Sequence, residues 1–212
     1  MKLNYTRKEE PLQNKVAVVA GATRGAGRGI ACELGEAGAT VYCTGRSTRE
    51  KLGKRRSKGA SPFELSKRSE TIEETAEMVT ARGGVGIPVQ VDHTDETQVK
   101  KLFARVKKEQ GKLHVLVNDI WGGDELTEFG KPFWKLALDK GLLMLQRAVH
   151  THIITSRYGA PLIMETGPGL IVEITDGDFF QYRGNLFYKI CDEKFYEYWL
   201  DGPGDILFPE WP

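Results

Sequence analysis

A glycine-rich turn near the N-terminus has the clearest chemical use of any segment in the sequence. The residues from Gly21 to Gly27 read GATRGAG and directly follow the apolar run from Val16 to Ala20. Because glycine has no side chain, such a turn lets backbone N–H groups approach a phosphate, and a helix that begins there adds partial positive charge. The succession of strand, turn and helix therefore indicates a binding site for the pyrophosphate of a dinucleotide.

The residue type that follows the second apolar run, Thr40 to Thr44, indicates which dinucleotide is bound. An acidic residue at this point would bind the ribose 2′-hydroxyl of NAD and repel a 2′-phosphate. The sequence instead has Arg46, with no acidic residue before Glu50, and a guanidinium makes charge-assisted, two-pronged contacts with phosphate. Arg24 in the glycine-rich turn can add to that contact. We therefore predict NADP as the cofactor in preference to NAD.

The glycine spacing, Gly21-x-x-x-Gly25-x-Gly27, resembles the fingerprint of the short-chain dehydrogenase/reductase family. Further matches follow in the order that this family has. Asp92 ends the third apolar run, where the family places an aspartate near the adenine. Asn118-Asp119 ends the fourth run, where the family usually has Asn-Asn-Ala-Gly.

The resemblance covers residues 14–188 and implies an NAD(P)-dependent oxidoreductase. Such an enzyme transfers a hydride between NADP(H) and a small-molecule carbonyl or alcohol substrate. The resemblance also implies which residues bind the cofactor. They are Gly21, Thr23, Arg24, Gly25, Gly27, Arg46, Asp92 and Asn118.

The catalytic residues of the family are matched less well. There, a serine orients the substrate carbonyl, a tyrosine transfers the proton, and a lysine four residues later lowers the pKa of that tyrosine. Tyr188 is the candidate acid/base, and Thr175 or Asp176 stands at the serine position. The lysine position holds Asp192, whose negative charge would raise the pKa of a nearby phenol. Tyr182 is no better supported as the catalytic tyrosine.

This mismatch leaves a second hypothesis open, in which the chain binds a dinucleotide without turning over a substrate. A third hypothesis, a methyltransferase that binds S-adenosylmethionine, is disfavoured because it would want an acidic residue where Arg46 stands.

The elements that must position these residues alternate between strand and helix. Strands are predicted at Val16 to Ala20, Thr40 to Thr44, Ile87 to Val91, Leu113 to Val117 and Leu170 to Thr175. Between them lie amphipathic segments, which predict helices on both faces of a parallel sheet. We expect a doubly wound, Rossmann-like α/β fold in a single domain over residues 1–212, with the family's last strands missing.

Two helix N-termini and one long helix are predicted in more detail. Thr71 with Glu74 forms a capping box, and Thr94 or Asp95 caps the next helix. A long helix is predicted from about residue 139 to residue 158. His150 and His152 lie two residues apart on it, so they diverge and are interpreted as surface histidines rather than as a metal pair.

Composition excludes several other classes of protein. The 212 residues contain 30 Lys and Arg against 29 Asp and Glu, a net charge of +1, which gives no global reason for nucleic acid or an anionic membrane as partner. The basic segment from Arg46 to Arg68 is interpreted as a solvated loop. We expect no secretory leader, and the sequence has no apolar run of the ~20 residues that span a bilayer and no metal-ligand spacing of the cysteines. We expect a cytoplasmic protein without a metal, and leave a homo-oligomer open.

The last segment, residues 189–212, departs from the rest in composition. It is acidic and aromatic, and no strand is predicted in it. The resembled family places two more strands and further helices after the tyrosine, more than this segment can form. We therefore expect a truncated or frame-shifted family member.

Overall fold

The computed structural model describes residues 10–52, 68–128 and 130–175, together with the backbone of 198–200. The sheet contains five parallel strands, in the order β3-β2-β1-β4-β5, and a short antiparallel strand beyond β5. The parallel strands are β1 (Val16–Ala20), β2 (Thr40–Gly45), β3 (Val85–Gln90), β4 (Val115–Asn118) and β5 (Gly169–Glu173). The order reverses between β1 and β4, which confirms the predicted doubly wound fold and locates its switch point.

Six α-helices connect the strands of the described residues, and two short 3-10 turns, Asp124–Leu126 and Phe133–Lys135, lie between β4 and the fifth of them. The α-helices are α1 (Gly25–Glu36), α2 (Arg49–Leu52), α3 (Ile72–Ala81), α4 (Glu96–Gln110), α5 (Leu138–Leu145) and α6 (Thr151–Thr166). A five-residue π-helical turn, Gln146–His150, joins α5 to α6. The predicted long helix is thus present, but it begins one residue earlier and extends eight residues further than the sequence indicated, up to Gly167 with its φ of +117°. None of these helices combines the length and apolarity needed to cross a membrane.

The core lies on both faces of the sheet, because successive side chains of a strand point to opposite sides. On one face, Val16 and Val18 of β1 pack with residues of α4 and α6 such as Phe103. On the other face, Ala17 and Val19 pack with small residues of α1 and α3. Every side chain of β1 is therefore buried, which explains why its sequence is a continuous apolar run rather than an alternating one.

Both predicted helix caps are present, one of them in altered form. The Oγ1 of Thr71 accepts the N–H of Glu74 at 3.1 Å at the start of α3. The Glu74 carboxylate, however, accepts a bond from Arg28 at 2.6 Å, so an ion pair to α1 is formed where a reciprocal capping box was expected. At the start of α4, Asp95 is the cap and accepts the N–H groups of Thr97 and Gln98.

The two edges of the sheet differ. Beyond β5 lies a short sixth strand, β6 (Tyr198–Leu200), which pairs antiparallel with it. The prediction that no strand forms in the C-terminal segment is therefore wrong, because pairing with an open neighbouring strand, rather than a local period, places these residues. The opposite edge is β3, in which Pro88 interrupts the row of backbone donors. There the N–H of Gly86 is bonded to the Oγ1 of Thr80 on α3 at 3.1 Å.

Candidate functional site

A cleft of about 270 Å³ opens at the carboxyl ends of the parallel strands. Its walls come from the turns after β1, β2, β3 and β4 and from the start of α6. Ligands of open α/β sheets bind at this switch point. Six of the eight predicted cofactor residues line the cleft, namely Gly21, Thr23, Arg24, Gly25, Arg46 and Asp92.

The glycine-rich turn forms the floor of the cleft through close backbone packing. Gly21 has a φ of +93°, and a Cβ built on it would lie 2.1 Å from the backbone oxygen of Asp119. A Cβ on Gly27 would lie 2.6 Å from the oxygen of Gly21. A Cβ on Gly25, by contrast, would meet nothing within 4 Å. Glycine is thus required at positions 21 and 27, because a side chain there would clash with neighbouring backbone oxygens, whereas Gly25 borders open space.

The N-terminus of α1 carries positive potential at this floor. Arg24 occupies the N-cap position without a side-chain cap bond, and the first turn has no acidic residue. The N–H of Gly27 donates to the carboxylate of Asp119, so this terminus already holds one anionic group. The backbone N–H groups of the first helical turn, the helix dipole and the open space at Gly25 fit the pyrophosphate of a nicotinamide dinucleotide.

Three arginines converge on the same cleft. Arg24 Nη2 donates to Ser47 Oγ at 3.4 Å, which orients it toward the turn after β2. Arg147 reaches across from the π-helical turn and donates to the Gly122 backbone oxygen at 2.9 Å. A Cβ on Gly122 would lie 3.4 Å from Arg46 Nη2 and 3.1 Å from Arg147 Cδ, so the two side chains flank one glycine. Burial first, and Arg46 second, lower the pKa of Arg147.

Arg147 is a site residue that the sequence did not reveal. Its position in an otherwise ordinary helical stretch carries no motif. The five-residue π turn changes the direction of the side chains that follow α5, and such turns are frequent at functional sites. Arg147 comes to lie beside the end of β2 only in the folded structure, so its role could not be inferred from the sequence.

Asp92 supplies the negative charge next to these arginines. Its carboxylate accepts the N–H and the hydroxyl of Thr94 at 3.0 and 2.7 Å. Burial opposes its ionisation, but the bonds from Thr94 and the charge of Arg46 outweigh burial, so the pKa of Asp92 lies below its usual value. The cleft therefore presents an ionised carboxylate beside guanidinium groups.

Asn118 lies behind the cleft rather than in its wall. Its side chain is fully buried and its Nδ2 donates to Ser156 Oγ and to Glu173 Oε1, both at 2.8 Å. Gly27 likewise lies beneath the floor. The structure thus brings six of the predicted cofactor residues together and gives the other two supporting positions.

Of the three predicted catalytic residues, the structure describes Thr175. Thr175 is exposed, two residues after the last residue of that strand. Asp176 and Tyr188 lie outside the described residues, as does Asp192. Their assignment as catalytic residues stays a prediction.

One histidine was misjudged from the sequence. His150 is exposed, as predicted, but His152 is buried against the sheet. Its Nδ1 lies 2.6 Å from Glu173 Oε2 and its Nε2 lies 3.0 Å from the Ile120 backbone oxygen. Because residues two apart on a helix diverge by about 200°, the spacing that argues against a metal pair also turns one of the two inward.

A second buried histidine borders the cleft. His93 follows β3 and lies between the hydroxyls of Thr44 and Thr155, at 2.8 and 2.9 Å. Burial lowers its pKa to about 3, so this imidazole is neutral in the folded protein at physiological pH. It connects the end of β2 to α6 through hydrogen bonds.

Comparison with known proteins agrees with this geometry. The family model described as Enoyl-(Acyl carrier protein) reductase matches residues 21–177. Dehydrogenase/reductase SDR family member 1 of Mus musculus is 35% identical over 189 residues, and the protein of the same name from Homo sapiens is 35% identical over 190 residues. In both cases the aligned region is 86% of this chain and 54% of the relative, so the chain spans about half the length of these relatives.

A solved structure shows the same fold. A short-chain dehydrogenase/reductase of Serratia marcescens superposes with a TM-score of 0.65 at 24% identity, covering 86% of this chain and 64% of the other. Because the family model matches well over half of the chain, the chain belongs to the short-chain dehydrogenase/reductase family, as the glycine spacing predicted.

Proposed function

We propose that this chain is an NADP-dependent oxidoreductase that interconverts a small-molecule carbonyl compound and the corresponding alcohol. Membership of the family supports a nicotinamide dinucleotide as cofactor. The observation that carries the choice of NADP is the set of three arginines that line the cleft, with Arg46 at the end of β2. Arg46 stands where an acidic residue would select NAD, and Arg24 and Arg147 border the same cleft.

The physical reason for this choice is charge. A 2′-phosphate carries close to two negative charges, and each charge-assisted hydrogen bond from a guanidinium contributes about 1.5–3 kcal/mol. NADH, with a hydroxyl in that place, leaves the same cations without the anion. One such bond corresponds to a preference for NADPH of about ten- to a hundredfold, since 1.4 kcal/mol is a factor of ten in affinity.

The bound nicotinamide would supply or accept the hydride, and the chain would manage the accompanying proton. We assign the proton transfer to the phenol of Tyr188. The hydroxyl of Thr175 can donate a hydrogen bond to a substrate carbonyl, whereas an ionised carboxylate at Asp176 can only accept one. We therefore favour Thr175 over Asp176 for orienting the carbonyl.

The cofactor assignment is tested by titrating the full chain with NADPH and with NADH, using the fluorescence of its four Trp residues. We expect NADPH to bind more tightly, and Arg46→Ala to weaken NADPH by at least about tenfold while leaving NADH nearly unchanged. Arg49→Ala is the matched control. It removes the same charge three residues away, where the guanidinium binds Glu77 at the surface instead of lining the cleft.

Two results would contradict the assignment. Equal affinity for NADPH and NADH would remove the argument from Arg46. An equal loss in Arg46→Ala and Arg49→Ala would reduce the effect to general electrostatic attraction. The oxidoreductase assignment is tested separately by the rate of NADPH oxidation with a panel of aldehydes and ketones, which Tyr188→Phe should lower by about a hundredfold or more.

A further inference from the structure

A group of polar side chains lies directly behind the cleft and is not explained by cofactor contact. His152 and Glu173 are 3% and 5% exposed at their side chains and are 2.6 Å apart. The other carboxylate oxygen of Glu173 accepts from Asn118 at 2.8 Å and from Ser156 at 3.0 Å. A polar group this deeply buried costs stability unless its hydrogen bonds are made. Those of His152 and Glu173 are made, whereas Asn118 Oδ1 has no partner among the described residues.

The direction of one bond is fixed by its partner. The second nitrogen of His152, Nε2, lies 3.0 Å from the backbone oxygen of Ile120. Because a carbonyl can only accept, Nε2 carries a proton and donates it. The remaining ring nitrogen, Nδ1, faces the carboxylate of Glu173. The imidazole is thus held at both ends, and it cannot rotate without breaking two bonds.

These hydrogen-bonded side chains link α6 to the ends of β4 and β5. Asn118 ends β4, Glu173 ends β5, and His152 and Ser156 lie on α6. The bond to Ile120 adds the segment after β4, whose residues 119–122 line the cleft. The backbone oxygen of Asp119 in this segment lies so close to Gly21 that no Cβ fits between them. The position of this segment therefore sets the width of the cleft.

We propose that His152 is a positioning residue of the cofactor cleft, which fixes residues 119–122 through its Nε2–H and links them to the end of β5 through Glu173. This proposal rests on the proposed function, since it takes the cleft to be the dinucleotide site. A role in packing alone would need only the volume of the ring. A directional hydrogen bond at each ring nitrogen is what a role in positioning requires.

Two substitutions of His152 test the roles of its two ring nitrogens separately. In His152→Gln, the side-chain amide reaches the position of Nε2 and can still donate to Ile120. In His152→Asn, the shorter amide reaches only the position of Nδ1 and leaves the Ile120 oxygen without its donor. His150→Gln is the matched control, because His150 is exposed on the preceding turn.

Two quantities are measured on the full chain. The first is the dissociation constant for NADPH from Trp fluorescence. The second is the rate of amide hydrogen exchange of the peptide that contains residues 119–122, without nucleotide. We expect His152→Asn to weaken NADPH by about tenfold and to speed exchange in this peptide. His152→Gln is expected to stay within about threefold of the parent in both measurements, and His150→Gln to change neither.

The outcomes distinguish this proposal from the proposed function. If both His152 variants lose affinity equally and in proportion to their thermal stability, the ring serves packing and the proposal is overturned. It is also overturned if both bind NADPH and exchange like the parent. If the parent binds neither NADPH nor NADH while the exchange rates differ as expected, the proposed function fails and the positioning role stands. Should His152→Asn not fold, Glu173→Gln is used instead, and unchanged exchange in the peptide would then refute the proposal.

Discussion

Two sides of the cleft are shaped by different means. One is the side of the glycine-rich turn, where we propose that the nucleotide binds, and the other is the side of β4, β5 and α6, where we propose that the substrate binds; they are called the nucleotide side and the substrate side. On the nucleotide side, the wall of the cleft is formed mainly by backbone atoms and short local turns, as at Gly21 and Gly25. On the substrate side, side chains far apart in the sequence meet, as His152 and Glu173 do over 21 residues. The first kind of site is encoded in a contiguous stretch. The second exists only when the strands and α6 have come together, so it is the side more easily lost by changes elsewhere in the chain.

The largest effect is expected from adding one methyl group to the nucleotide side. In Gly21→Ala the new Cβ would lie 2.1 Å from the Asp119 oxygen, at a φ of +93° that side chains rarely adopt. Backbone must therefore move, and the floor of the cleft with it. We expect NADPH affinity to fall by a hundredfold or more and stability to fall by about 3 kcal/mol.

Gly29→Ala provides the contrast, because a Cβ there meets nothing within 4 Å and the position lies inside α1. Alanine is a better helix former than glycine by about 1 kcal/mol, so this variant should be slightly more stable and bind normally. If Gly21→Ala bound NADPH as well as Gly29→Ala did, the nucleotide side would not depend on close backbone packing.

A smaller effect is expected from pH at the boundary between the two sides, where His93 joins β2 to α6. Its pKa is lowered to about 3 in the folded protein by burial, against about 6.5 in an unfolded chain. The unfolded state therefore takes up a proton below about pH 6.5 that the folded state refuses. The stability contributed by neutral His93 is complete above pH 6.5 and decreases as the pH falls toward 3.

Replacing this histidine isolates its contribution. His93→Gln removes the titrating group while keeping one donor and one acceptor. The parent should lose about 2 kcal/mol more than the variant between pH 7.5 and pH 5, measured by urea unfolding at each pH. Parallel pH profiles for the two proteins would show that the imidazole already accepts a proton in the folded state.

The smallest effect is expected away from both sides of the cleft. Asp95 caps α4 by accepting the N–H groups of Thr97 and Gln98. Asp95→Ala should lower stability by about 1 kcal/mol, measured by thermal or urea unfolding, and leave the dissociation constant for NADPH unchanged. A parallel loss of affinity would mean that the cleft responds to stability in general, and would weaken any contrast between its two sides.

What could be predicted from the sequence follows the same division. The glycine-rich turn, Arg46 and the doubly wound alternation of strands and helices were accessible because each depends on neighbouring residues and on general rules of chain crossing. Arg147 was not, because a π turn leaves no clear mark in composition. The burial of His152 on α6 was missed because its partner, Glu173, lies on β5. The sixth strand was missed because an open edge, rather than its own period, orders it.

The outer edge of β3 affects whether this protein can associate with other molecules through strand pairing. The N–H groups of Val85 and Val91 bond to the carbonyls of Ala39 and Gly45 on the β2 side, so by alternation positions 86, 88 and 90 of β3 face outward. The N–H at position 86 is taken by Thr80 and position 88 has none, because residue 88 is proline. A strand from another molecule would find few donors there, which protects this side of the sheet from edge-to-edge aggregation.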